Sequence, residues 1–151
     1  MSEPGFRHIL VPLDRSPSSE LALLAASRAA ARGGRLTLLH VGEDMVADHQ
    51  LPESYDKQAF WEEQARPIHE YLYQSKAMVT REDLQVETVA AGGNPAEAIL
   101  DIANELGVEA IAMSSHSRSV LRQVLIGSTV QTVLARAKVP LLIVHPPEEI
   151  S

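Results

Sequence analysis

The chain has no cysteine, which excludes disulfides, thiol catalysis and thiolate metal sites and suits a reducing compartment. Aromatic residues make up only 4% of it, too few for a platform on which nucleic-acid bases could stack. Lys and Arg number 13 against 20 Asp and Glu, a net charge of -7 that repels nucleic acid and anionic lipid. Long apolar runs are missing too. No stretch reaches the roughly 18 residues of a membrane span, so no membrane insertion is expected. The first apolar run stops at Asp14, short of a signal-peptide core. A cytoplasmic protein is expected.

At 151 residues the chain has the length of one domain with one substantial core. We read residues 1–151 as a single domain with its core over about 6–146, without internal repeat or linker. Ile9 to Leu13 is a short apolar run suited to a strand buried on both faces, with Pro12 tolerable only near its end. Ser16-Pro17 is an N-cap followed by proline at the first helical position. Leu21, Leu24, Ala25 and Arg28 follow at helical spacing, and Gly33-Gly34 is the expected stop. Leu36 to Val41 reads as a second strand, and 42–55 as a loop. Residues 56–81 form a charged amphipathic segment with Phe60, Ile68, Leu72 and Met78 on one stripe and a kink expected at Pro67.

Leu84 to Ala90 alternates in a way that suggests an edge strand. Asn94-Pro95-Ala96-Glu97 is a helix start in which Glu97 is placed to return a bond to the cap amide, with Gly107 as the stop. Val108 to Met113, Gly127 to Ala137 and Pro140 to Val144 complete an alternation of strand and helix. That alternation predicts an α/β fold, a mostly parallel doubly wound sheet with helices on both faces. In such a sheet ligands gather beyond the carboxyl ends of the strands.

The segment "MSSHSRSVLRQVLIGST" lies at one of those ends. A helix opening near Gly127 offers free amides and a positive dipole end to an anion, with hydroxyls from Ser128 and Thr129. Ser128 with Gln131 could equally be a capping box. Asp14 reads either as a ligand residue or as a turn or cap before the first helix. Arg118 lies in the loop and is a better phosphate partner than Arg122, though both could be solvated surface charges. A hydrolase triad is disfavoured by the lack of a Gly-x-Ser-x-Gly elbow. No HExxH-type pair accompanies the histidines, of which His40 and His145 read as part-buried and His49 and His69 as solvent-facing.

The stretches "ILVPLDRS", "GGNPAEAILDIA" and "MSSHSRSVLRQVLIGSTVQTVLARAKVPLLIVHP" resemble the universal stress protein family, in order and spacing, across essentially the whole chain. That resemblance implies a Rossmann-like, five-stranded parallel domain of the adenine-nucleotide alpha-hydrolase type with strand order 3-2-1-4-5. It implies a stress-response protein that binds ATP or another adenine nucleotide (ADP or AMP) as a regulatory signal to a protein partner; the sequence offers no evident general base for fast hydrolysis, so the protein is expected not to be an enzyme, with slow ATP turnover left open. It also implies a homodimer paired through the last strand, Pro140, Leu141, Leu142, Ile143 and Val144, which would otherwise read as an interior strand. By the same resemblance Asp14 sits near the ribose or a bound Mg2+, and Val41 meets adenine through its backbone. Ser114, Ser115, His116, Arg118 and Ser119, with Gly127, Ser128, Thr129 and Val130, surround the phosphates. Pro12, Leu13, Ser16 and Met113 complete the set.

The family also has a branch that does not bind nucleotide and serves as a scaffold or interaction protein. The binding branch carries two loop glycines where this chain has Ser114 and Ser117, with the spacing to Gly127-Ser128 intact. A serine held at positive φ costs about 1 kcal/mol, enough to weaken binding several-fold. Its hydroxyl can in turn donate to a phosphate oxygen.

Overall fold

A computed structural model of the protein describes residues 4–43, 45, 51–115 and 126–146. Five strands and four helices alternate along them: β1 (Phe6–Pro12), α1 (Pro17–Ala29), β2 (Ala30–Gly42), α2 (Lys57–Lys76), β3 (Gln85–Gly92), α3 (Pro95–Leu106), β4 (Ala110–Ser114), α4 (Ser128–Arg136) and β5 (Leu141–Val144). Every strand pairing is parallel and the order is β3-β2-β1-β4-β5. Both β3 and β5 are therefore edges, as the alternation of β3 and the family resemblance for β5 imply.

Parallel strands buried on both faces need apolar residues at every position. In β1, Ile9 and Val11 face one helical layer and Leu10 the other, and all three are fully buried. The first layer holds α1 and α2, with Leu23, Ala26, Ile68 and Leu72 on the sheet. The second holds α3 and α4, with Ile99, Leu100, Val130 and Val133.

Local signals at helix starts operate as read. Ser16 Oγ accepts the Ser19 amide at 3.1 Å, and Asn94 Oδ1 accepts the Glu97 amide at 3.0 Å. Prolines occupy the first turn of both helices, and Gly107 ends α3 in the left-handed region at φ 62. Several expectations are corrected. α1 ends at Ala29, not at Gly33-Gly34, because the chain passes straight into β2. Phe6 pairs with Ala30 but His8 with Arg35, so the intervening residues of β2, both glycines included, form a bulge. The face α1 buries is Ser19, Ala22, Leu23, Ala26 and Ser27, while Leu24 remains 42% exposed.

α2 is shorter than the 56–81 segment and runs unbroken through Pro67. Met78 lies past its end. Glu97 does not return to its cap: its carboxylate pairs with Arg136 of α4 at 2.5 Å. A charge-assisted bond to a neighbouring helix wins over a local one.

Candidate functional site

The strand order reverses at β1, whose neighbours β2 and β4 lead away on opposite sides. A cleft of about 510 Å³ opens there, above the carboxyl ends of β1, β2 and β4. That volume lies within the range of small-molecule sites. Of the residues predicted for a ligand, Pro12, Leu13, Asp14, Val41, Met113, Ser114, Gly127, Ser128, Thr129 and Val130 line it. Four stretches far apart in the chain thus converge on one space.

Ser16 and Ser115 act from behind. Ser16 donates both its amide, at 3.0 Å, and its hydroxyl to Asp14 Oδ1. Among the described residues, Asp14 Oδ2 takes no protein donor. Asp14 is therefore the turn residue before α1 and not its cap, which is Ser16. Ser115 is buried; its amide donates to the Val144 carbonyl and its carbonyl accepts the Gly127 amide, both at 2.8 Å. This pair of bonds ties the end of β4 to β5 and to the start of α4.

The start of α4 departs from the capping-box reading. Gly127 is the N-cap and makes no side-chain cap hydrogen bond, Ser128 is the first helical residue, and Gln131 Nε2 donates instead to the Ile126 carbonyl at 2.8 Å. Ser128, Thr129 and Val130 of the first turn line the cleft, and no side-chain cap bond occupies the start of α4. Ser114 is also simpler than expected. It ends β4 in register with Val144, and Arg15 alone among the described non-glycine residues has a positive φ. The strain anticipated for a serine at this position is absent. Ser117, His116, Arg118 and Ser119 lie outside the described residues, as do Arg122 and His49.

Arg15 carries the strain instead, at φ 71, a conformation costing about 1–2 kcal/mol for a residue with a side chain. Its amide donates to Tyr71 Oη at 3.0 Å and its guanidinium lies 5.5 Å from the centre of the Tyr71 ring. Tyr71 in turn meets His40 edge-on at 5.5 Å, and His40 Nδ1 bonds the Leu13 carbonyl at 2.6 Å. His40 is part-buried as expected, whereas His145 is exposed.

Sequence reasoning missed the far wall of the cleft: Met45, Gln64, Pro67 and Ile68 on one side, Pro95 and Ile99 on the other. Ile68 was legible as a core residue, but nothing in its spacing says that it also borders a ligand space.

Among the described residues no group of three His, Asp or Glu could hold a metal alone. The donors do suit a metal that arrives with phosphate. Mg2+ is commonly held by one or two carboxylates plus phosphate oxygens and water, and Asp14 offers one carboxylate to the cleft that the start of α4 also lines.

A doubly wound parallel sheet with a cleft at its switch point defines a Rossmann-like class of ligand-binding domain. The model of the universal stress protein family matches residues 5–145. Universal stress protein YxiE of Bacillus subtilis is 31% identical over 148 residues, covering 93% of this chain and 99% of that protein. The solved structure of MJ0577 from Methanocaldococcus jannaschii has a TM-score of 0.75 at 24% identity, covering 93% and 96% of the two chains. A universal stress protein in complex with cAMP has a TM-score of 0.65 at 22% identity, covering 95% and 98%. The chain belongs to the universal stress protein family.

Proposed function

We propose that the cleft binds ATP or another adenine nucleotide, with Mg2+, and that occupancy serves as a regulatory signal in a cytoplasmic homodimer. The observation that carries this reading is the convergence of the β1, β2 and β4 ends with an α4 start free of side-chain caps. Apolar groups line one part of the space, and amides, hydroxyls and a carboxylate line the other. In this reading the Gly127–Val130 turn and Ser114 hold phosphate oxygens, Asp14 meets the metal or the ribose, and Val41 borders the base. A metal held by Asp14 together with phosphate oxygens would supply charge neutralisation. The protein is read as a binder and not as an enzyme. The cAMP complex of a protein with the same fold is in keeping with a nucleotide ligand.

The decisive measurement is thermal melting of nucleotide-stripped protein with MgATP. At a hundredfold excess over the dissociation constant, binding adds about 2.7 kcal/mol and raises the midpoint by several degrees. Gly127→Val should abolish the rise while the free protein still melts cooperatively. No shift at millimolar MgATP ends this reading and favours the scaffold alternative.

The homodimer is tested separately. Amide Ile111 donates to the Pro140 carbonyl and amide Ser115 to that of Val144, so in β5 the groups of 140, 142 and 144 face β4. Those of Leu141 and Ile143 point to the open edge. Ile143→Pro should turn a dimer into a monomer in sedimentation equilibrium without touching the β4 ladder. A wild-type monomer overturns the proposal.

A further inference from the structure

Gly42 and Gly92 lie opposite each other where β2 and β3 end. A Cβ on Gly42 would come within 2.7 Å of Met45 Sδ and 2.9 Å of Ile68 Cδ1. One on Gly92 would come within 3.3 Å of both Met45 Cβ and Trp61 Cζ3. The Met45 amide donates to the Gly42 carbonyl at 3.2 Å, which anchors the residue over this pair. Met45 also packs against the α1–α2 core. The Met45 side chain thus lies across two strand ends, its thioether too close to position 42 for any Cβ there, and it lines the cleft with Pro67 and Ile68.

We infer that Met45 sets the size of the base the cleft accepts, by closing the slot next to Val41 against the exocyclic-amine edge of the ring. The inference rests on the adenine-nucleotide reading above. Asp14 and the first turn of α4 suit phosphate and metal, which leaves the β2 end, where Met45, Pro67 and Ile68 stand with Glu43 and Gln64, for a flat ring. A thioether against a ring edge is a favourable contact that tolerates small shifts. Shortening Met45 lengthens the slot, and a methyl on Gly42 lifts Met45 into it.

Calorimetric titration with MgATP and with the Mg2+ complex of N6-benzyl-ATP tests this. Wild type should bind MgATP and take the benzyl analogue at least about tenfold more weakly, a difference of ~1.4 kcal/mol. Met45→Ala should bring the two ligands within about threefold of each other, and Gly42→Ala should weaken MgATP about tenfold. The double variant should recover MgATP binding, because the atom that Gly42→Ala displaces is gone. Melting of each free protein checks that it is folded. If wild type takes up no MgATP, the nucleotide reading falls and the inference with it. If wild type binds MgATP and Met45→Ala still rejects the benzyl analogue, the inference alone is overturned.

Discussion

The two ends of the sheet use glycine in opposite ways. At the amino end, a Cβ on Gly5 would come within 2.7 Å of the Ala31 amide nitrogen and 2.8 Å of the Ala29 carbonyl oxygen, and one on Gly34 within 2.9 Å of the Ala31 carbonyl oxygen. Main chain meets main chain there. At the carboxyl end, the same operation on Gly42 and Gly92 runs into the side chains of Met45, Ile68 and Trp61. Polar groups divide in the same way. Arg81 donates to the carbonyls of Ser27 at 2.7 Å and Ala30 at 2.9 Å, and it pairs with Asp83 at 2.6 Å. Asp83 in turn accepts the Gly33 amide at 2.9 Å. The amino end satisfies its bulged backbone internally and is locked. At the carboxyl end Asp14 and the first turn of α4 line the cleft, with the Met45 side chain at its border.

The sharpest way to break this contrast is Gly5→Ala. Gly5 has φ 102, so alanine there combines left-handed strain with overpacking against backbone that cannot yield. We expect a loss of about 3 kcal/mol in urea unfolding. Gly42→Ala meets the flexible end of Met45 and the Cδ1 of Ile68 and should cost about 1 kcal/mol in the same experiment, its main effect falling on ligand binding. Equal losses for the two would erase the distinction.

The smallest effect concerns pH. The Arg81 hydrogen bond, followed by the Gly33 amide, holds the Asp83 carboxyl down to about 2 from its ordinary 3.8. A folded-state value below the unfolded one adds stability above the ordinary value, and that stability is lost as pH falls from 3.8 through 2. Asp83→Asn should therefore flatten the acid limb of the melting profile in that window and leave MgATP uptake at neutral pH unchanged. A profile that keeps its wild-type slope would show that the clasp does not govern the acid response of this end.

Much of the fold was legible because its signals are local. Strands buried on both faces demand continuous apolar runs, and Ser16-Pro17 and Asn94-Pro95 start helices through bonds that span three residues. The errors fell where a distant group decided the outcome. Glu97 left its cap for Arg136. The end of α1 was set by the β2 bulge and its Arg81 clasp, not by the nearest glycines. The buried face of α1 was chosen by the sheet beneath it, which took Leu23 and left Leu24 outside.

The cleft divides along the same line. Strand-helix alternation identified the strand ends and the segments after β1, β2 and β4, because it dictates where the crevice must open, while the family came from the resemblance of three quoted stretches. Only the tertiary structure decided that α2 supplies its far wall, that Arg15 rather than Ser114 bears the backbone strain, and that Met45 rests on two glycines. Contacts between segments far apart in the chain leave no periodicity and no local motif. Their energies depend on which atoms the folded sheet brings within a few ångströms, and that is settled only when the chain has closed on itself.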